Sequence, residues 1–548
     1  MMKHILFMSA ALLLSGVTMA QPTMGLTQYA PVVGEDYVLF SPLPSTQTYL
    51  IDRCGNEVKQ WTGSANPGTI AQLLPDGSLL RASNIPNPVF TGGGRGGLLE
   101  RYDWDGNPLW SYTLSNDSLC QHHDVALLPN GNMLVIVWDG RDSSDAVAHG
   151  KDPALTNPML WSERILELEP VGTDSVNVVW EWRLWDHLVQ DFDSMLPGYG
   201  VVREHPELVD INFVQGPPNS ADWIHMNSVS YNEALDQVVL SSHSLDEIWI
   251  IDHSTTTSEA AGHTGGVVGR GGDLLYRWGN PQGYGRGSMA DQVFFGQHHA
   301  SWLPPGHPHE GKILVFNNGL GRPGDEYSSL EIIAPPLQLD GSYALAPDTA
   351  FAPVIQDWIW TAPVPTDFYA HNVSGVYPIG DNYLVTDGPD GLFFQIDGSE
   401  SVIWRYINPV NAQGPMTQGN TPTGNNVFRG IPYASDFPGF IGHTLIAGAP
   451  IELDPLVPSL CATTAITTES NGDTYVYPNP ASDHLMIDGL DGSVVEISVA
   501  NALGSVFRRE RIPSGTEKWS LDLLGIAPGM YVITCSGDKQ WSQRIVVR

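Results

Sequence analysis

The 548-residue sequence predicts an all-β fold built from repeated sheets. Three observations carry that prediction. The composition joins 57 glycines, 42 prolines and 17 tryptophans to only 16% charged residues, which marks a turn-rich, aromatic β protein. Aromatic strand endings recur at Trp61, Trp110 with Tyr112, Trp180 with Trp182, Tyr276 with Trp278, Trp358 with Trp360, and Trp404 with Tyr406. Histidine-led segments recur too, each ahead of an apolar run: residues 121–125, 225–229, 298–302 and 371–375.

Each aromatic ending closes an alternating run, and alternation puts both aromatics of a pair on one face. A turn signal or a loop precedes each ending. Arg53-Cys54-Gly55-Asn56, Trp104-Asp105-Gly106-Asn107 and Ile396-Asp397-Gly398-Ser399 are examples. The other half of a unit is an apolar strand, a Pro-x-Gly-like turn and a second apolar strand. Leu74-Pro75-Asp76-Gly77, Leu128-Pro129-Asn130-Gly131 and Tyr377-Pro378-Ile379-Gly380 show it. Two hairpins per unit make a four-stranded blade, and six endings make six blades. Such a ring removes free sheet edges and encloses a channel. The predicted fold is therefore a six-bladed β-propeller followed by a small C-terminal β-sandwich. Two long loops, 184–222 and 253–272, stretch the spacing. Long loops on a rigid ring usually build or cover a site.

The ends of the chain read differently. Lys3 and His4, the apolar run from Ile5 to Leu14, and Val17-Thr18-Met19-Ala20 describe a signal peptide cleaved before Gln21. The plan is a signal peptide at 1–20, the propeller at 21–449, a Pro/Thr/Ser-rich linker at 450–472, and a small β unit at 473–548. No later apolar stretch is long enough to span a membrane. Cys54, Cys120, Cys461 and Cys535 allow three pairings in an exported protein, and none is selected. Their spacing is not that of a zinc site. A net charge of −35 argues against nucleic acid as a partner. No EF-hand-type calcium loop is present.

In a propeller the innermost strand of each blade lines the channel. The histidine-led strands are placed there, because the aromatic strand comes last. His123, His225, His298 and His371 would then approach the axis from four blades. His122 and His299 are neighbours of two of them, and alternation turns one of each pair away. His123 and His298 are favoured. One histidine in a β protein is usually a hydrogen-bonded structural residue. Four at equivalent repeat positions point to convergence. Arg322 follows Phe316-Asn317-Asn318-Gly319, and Arg141 follows Trp138-Asp139-Gly140. An arginine fork suits a tetrahedral oxyanion. No nucleophile elbow in a strand–turn–helix setting and no Lys-Ser/Thr phosphate loop are present. Histidine chemistry remains open between metal binding and an oxyanion pocket with a nucleophilic imidazole.

Two resemblances add to this reading. Val476-Tyr477-Pro478-Asn479-Pro480, Gly529-Met530-Tyr531-Val532-Ile533 and the ending Gln543-Arg544-Ile545-Val546-Val547-Arg548 resemble the C-terminal sorting domain of the type IX secretion system. That implies export through the periplasm, a secreted or cell-surface location, and the type IX machinery as a partner. Asp222-Trp223-Ile224-His225-Met226-Asn227-Ser228-Val229 resembles the bacterial arylsulfotransferase (aryl-sulfate sulfotransferase) family. So do Val239-Leu240-Ser241-Ser242-His243, Ile248-Trp249-Ile250-Ile251-Asp252 and Gly296-Gln297-His298-His299. The Asn317-Asn318-Gly319 segment with Arg322 and His371-Asn372-Val373-Ser374-Gly375 complete the likeness, over most of residues 30 to 450.

This second resemblance implies a six-bladed propeller that moves a sulfuryl group from an aryl sulfate donor to a phenolic acceptor. It implies no nucleotide sulfate donor, no cofactor, and a covalent histidine intermediate. His225, His298 and Arg322 would hold the sulfate oxygens. His371 would be the nucleophile, with His123 as its rival. A non-catalytic surface propeller that binds glycan, sulfated polymer or protein is the alternative.

Overall fold

The computed structural model describes residues 21–30, 32–215, 220–456, 475–490, 496–501, 506–527, 529–536 and 541–548. The signal peptide expected at 1–20 lies outside them, as does most of the expected linker, 457–472. The fold is all-β, with two short α-helices among the described residues. No helix there is long and apolar enough to cross a membrane.

Six antiparallel sheets follow one another through residues 25–433. The second runs Pro67–Leu73, Leu79–Asn84, Gly97–Tyr102 and Pro108–Thr113. The third runs Leu119–Leu127, Met133–Asp142, Met159–Val171 and Ser175–Arg183. The fourth contains Met226–Asn232, Gln237–Ser242, Glu247–Asp252 and Tyr276–Trp278. The fifth contains His298–Trp302, Ile313–Asn317, Ser329–Ile333 and Trp358–Trp360. The first and sixth sheets borrow from the opposite ends of the chain. Val427–Tyr433 pairs beside Tyr37–Pro42 in the first, ahead of Gln47–Ile51 and Glu57–Thr62. Gly25–Tyr29 adds a fifth strand outside Val402–Ile407 in the sixth, which begins at Gly375–Ile379.

Apolar side chains fill the spaces between neighbouring sheets. Ile136, Ile165 and Trp182 meet Leu240 and Trp249 between the third and fourth. Val239 and Ile250 meet Val315 and Ile333 between the fourth and fifth. Phe40 and Ile51 meet Phe393 and Trp404 between the sixth and first. Val239 and Leu240 are adjacent and face opposite cores. Both faces of the strand are buried, so it reads as an unbroken apolar run.

The aromatic endings occupy the last of the four repeat strands in every sheet. Their indoles also link the sheets. Trp61 Nε1 donates to Asp103 O in the second sheet's turn at 3.1 Å, and Trp110 Nε1 to Ser175 O of the third at 3.0 Å. Trp180 reaches Thr255 Oγ1, Trp278 reaches Pro353 O, and Trp360 reaches Glu400 O. Trp404 of the sixth sheet donates to Arg53 O of the first at 2.8 Å. Three of these acceptors, Arg53, Asp103 and Glu400, lie in or beside the turn signals at 53–56, 104–107 and 396–399.

Past residue 474 there are two further sheets. One contains Tyr475–Tyr477, His484–Asp488 and Lys518–Asp522. The other contains Val506–Arg511, Glu496–Asn501, Gly529–Ser536 and Trp541–Val547. Leu485, Ile487 and Leu521 of one share a buried cluster with Ile497, Val499 and Ile533 of the other. Cys120 and Cys535 are free, and Cys54 is disulfide-bonded.

Candidate active site

The histidine-led strands are the first strands of their sheets, at the edge opposite the aromatic endings. Side chains cross-link these first strands. Arg429 of the first sheet pairs with Asp124 of the third at 2.7 Å and donates to Asn227 O of the fourth at 3.0 Å. Asn227 Nδ2 donates to Gln297 O of the fifth at 2.8 Å. Val376 N of the sixth donates to His299 Nδ1 at 3.1 Å.

A repeated bulge aims the histidines. Pairing registers shift where His122 gives way to Val125, between Met226 and Ser228, and between His298 and Ser301. His123, His225 and His299 adopt φ of +52°, +51° and +52°, and Val373 adopts +45° in the fourth such segment. These left-handed conformations are uncommon away from glycine and gather where a strand is re-aimed. The expectation that alternation separates His122 from His123 fails here for that reason. The bulge keeps both rings together, with their Nδ1 atoms 2.8 Å apart.

Five imidazoles follow one another in a curved line that brings His123 within electrostatic reach of His243 and His298 as well as of its neighbours. Ring centroids are 5.1 Å apart for His122–His123, 4.6 Å for His123–His225, 5.3 Å for His225–His243 and 5.1 Å for His243–His298. His299 turns away, against the Tyr377 ring at 4.2 Å.

At one end, His122 stacks on Trp138 at 4.0 Å, and its Nε2 meets Glu163 Oε2 at 2.9 Å. Burial raises the Glu163 carboxyl well above its ordinary range and lowers His122 well below its own. Burial thus favours the uncharged form of each, and a hydrogen bond over an ion pair. In that form Glu163 donates to His122 Nε2, His122 Nδ1–H donates to His123 Nδ1, and His123 is left with an N–H on Nε2.

His225 behaves differently. Its Nδ1 lies 2.5 Å from Asp222 Oδ2, while Trp138 Nε1 donates to the other Asp222 oxygen at 3.1 Å. Burial opposes charge on His225, but the Asp222 charge and hydrogen bond outweigh it and its pKa is raised. Its side chain keeps 18% exposure.

His298 Nδ1 faces Asn318 Oδ1 at 2.8 Å and the Gly296 carbonyl at 3.1 Å, so that nitrogen carries the hydrogen. Burial pulls its pKa down to about 3 against the opposing Asn318 hydrogen bond. Neutral His298 therefore presents a bare Nε2.

Asn318 ends the line and extends it. Its Nδ2 donates to Ala370 O at 2.7 Å and to Val373 O at 3.1 Å, which fixes the segment carrying His371. His371 is exposed, with its ring 6.3 Å from Tyr369. Arg322 lies four residues past Asn318, stacked over Tyr327 at 4.3 Å and Phe295 at 5.4 Å. His123, His225 and His298 are thus brought into one line, while His371 and Arg322 stand on loops beyond its Asn318 end. Arg141 is elsewhere. It pairs with Asp139 at 2.5 Å and Asp145 at 3.4 Å, over Trp185.

Sequence reasoning passed over His243, Asp222, Glu163 and Asn318 as site residues. His243 and Asn318 stood inside quoted motifs. Asp222 stood there too, three residues ahead of His225. Glu163 carries no local signal, because only strand pairing brings it to His122.

A glycine loop covers the line. An added Cβ on Gly94 (φ +76°) would lie 2.1 Å from the His123 ring, whereas one on Gly93 would meet nothing within 4 Å. Gly94→Ala is expected to destabilise the protein by about 2 kcal/mol or more and to cut turnover, with Gly93→Ala near neutral. Thermal midpoints and rates of the two variants compare them directly.

The histidines are thus held in this order by carboxylate, amide and tryptophan partners on an all-β chain. The arylsulfotransferase (ASST) family matches residues 46–414, and the chain belongs to that family. Residues 475–548 match the secretion system C-terminal sorting domain, which marks the protein for export to the cell surface or beyond. No curated protein matches the chain.

Among solved structures, a protein of unknown function from Bacteroides caccae is similar at 11% identity and TM-score 0.39, covering 73% of this chain and 100% of its own. The β-propeller domain of Myceliophteria thermophila Cps50 (Swd1) is similar at 11% identity and TM-score 0.34, covering 70% and 90%. Virginiamycin B lyase from Staphylococcus aureus is similar at 10% identity and TM-score 0.30, covering 71% and 90%.

Proposed function

We propose that this protein is a secreted aryl-sulfate sulfotransferase that works without a nucleotide sulfate donor and through a sulfohistidine. The catalytic unit is a six-bladed propeller at 21–449, joined by a linker at 450–472 to a β-sandwich sorting domain at 473–548. Six successive sheets and indole contacts that return from the sixth to the first support the ring. The two C-terminal sheets with one shared core support the sandwich.

The line of five fixed histidines that ends at Asn318 carries the functional reading. In it, His371 takes the sulfuryl group. It is the exposed member of the set that the family likeness assigns, so a bulky aryl sulfate can reach it. The S–O bond to the phenol breaks as an S–N bond forms, and the departing phenolate takes the proton that the His371 ring gives up. A second phenol then accepts the sulfuryl group from His371 as the S–N bond breaks, and its hydroxyl proton returns to the ring. The group in flight resembles a transferring phosphoryl group, with charge on its peripheral oxygens. Arg322, imidazolium His225 and the His123 Nε2–H supply fixed donors for that charge. His298, bare at Nε2 while neutral, cannot grip a sulfuryl oxygen and instead accepts from the hydroxyl of the phenolic acceptor.

Trapping tests this reading. The purified protein is mixed with 4-nitrophenyl sulfate without acceptor and mapped by mass spectrometry at alkaline pH. The expected result is one sulfuryl adduct, on His371, that a phenol discharges. An adduct on His123, His225 or His298 overturns the nucleophile assignment. A folded sample that neither forms an adduct nor releases nitrophenol overturns the activity.

A further inference from the structure

The loop between Glu247–Asp252 and Tyr276–Trp278 brings His263 and Asp273 to His187, which follows the strand Ser175–Arg183. His187 Nδ1 lies 2.9 Å from Asp273 Oδ1, and His263 Nδ1 lies 2.7 Å from the same oxygen. The three candidate ligand atoms all fall within 4.8 Å of one another. None of these residues belongs to the histidine line.

The His187 ring cannot turn. Its side chain is fully buried and lies parallel to Trp182, with centroids 5.7 Å apart and planes 3° apart. Gly272 closes over it, since a Cβ there would be 2.6 Å from Nε2. Nε2 in turn sits 2.8 Å from the Ala260 carbonyl, which only accepts. Nε2 therefore carries the hydrogen, and a neutral ring has a bare Nδ1. The Nδ1 edge is thus turned to the Asp273 carboxylate, where a proton or a bound cation completes the contact. An imidazole with one nitrogen on a backbone carbonyl and the other on an ion is the usual support of a metal-binding histidine.

We propose that His187 Nδ1, His263 Nδ1 and the Asp273 carboxylate bind one divalent ion of the zinc class. Water completes the coordination on the exposed His263 side. Two imidazoles and one carboxylate suit zinc, whereas calcium takes six to eight oxygens. Tetrahedral zinc spaces its ligands about 3.3 Å apart, so both gaps to Asp273 open by about half an ångström. His263, with 61% of its side chain exposed, is free to move at one gap, and the shift at the other falls to the Asp273 carboxylate. The ion fastens the 253–275 loop to the third sheet, where Trp182 Nε1 already donates to Gly272 O at 2.7 Å.

The test uses the full chain, dialysed against a chelator and then against buffer. Zinc is titrated by calorimetry, and thermal midpoints are read with and without zinc, for wild type, His263→Ala and Asp273→Asn. The expected result is one zinc per chain, a raised midpoint, and affinity about a hundredfold weaker in both variants. Calcium is expected to leave the midpoint unchanged, and His263→Ala to turn over nitrophenyl sulfate like wild type. Absence of saturable zinc binding overturns the proposal. So does zinc binding that both variants retain, or an equal response to calcium.

Discussion

Replacing His225 with leucine is expected to lower kcat/KM for nitrophenyl sulfate by about 10²–10³-fold, the usual cost of one preorganised donor to a developing oxyanion. Asp222 holds His225 Nδ1 at 2.5 Å and raises its pKa, so the ring stays cationic to higher pH than an ordinary histidine at about 6.5. A cationic ring has its second N–H free for a sulfuryl oxygen. The working form is thus lost as pH rises through the folded pKa, and kcat/KM falls on that limb. Asp222→Asn removes the charge that sustains the imidazolium and moves the limb to lower pH. Stability follows the same sign. The pair's contribution is fully present below the unfolded pKa and is lost as pH rises through the folded one. A profile that climbs with pH through this range would make His225 a base and overturn its role as a donor.

Glu247→Ala is expected to cost about 3–5 kcal/mol of stability, read from denaturant or thermal midpoints. Glu247 and Arg277 are both fully buried and meet in a two-pronged pair at 3.0 and 2.5 Å. Arg277 also donates to Leu208 O at 2.8 Å and lies over Tyr284 at 4.5 Å. Removing the carboxylate leaves a buried guanidinium with one carbonyl and a ring face for company. Replacing both partners with apolar residues is expected to recover much of the loss, because desolvation of the pair offsets most of its attraction. A Glu247→Ala protein with an unchanged midpoint would show that water reaches Arg277. The pair matters to the site as well. The Glu247 carbonyl accepts from Gln297 Nε2 at 2.9 Å, next to His298 in sequence.

The repeat was legible because its signals are local. A tryptophan two residues from another aromatic reads the same wherever it occurs, and each such ending falls on the fourth repeat strand of a sheet. The joins between chain ends were not legible. Nothing in Val427–Tyr433 says that it pairs with Tyr37–Pro42, nearly four hundred residues earlier. The histidine positions were visible, but their orientation was not. Period-two alternation governs a regular strand, and a residue at φ near +50° breaks it. Glu163 shows the same limit. It reaches His122 only because Trp138 and Glu163 are paired across two strands, and it is that carboxyl which sets the tautomer of His123.

The six indole contacts bear on life outside the cell. An exported protein meets proteases with no chaperone at hand, and cleavage of an exposed loop is the common first injury. Each turn here is gripped by the tryptophan of the preceding sheet, and the grip runs from the last sheet back to the first. A nick in one loop therefore frees two chain ends whose sheets remain fastened to their neighbours. The damage stays a cut and does not become an unravelling.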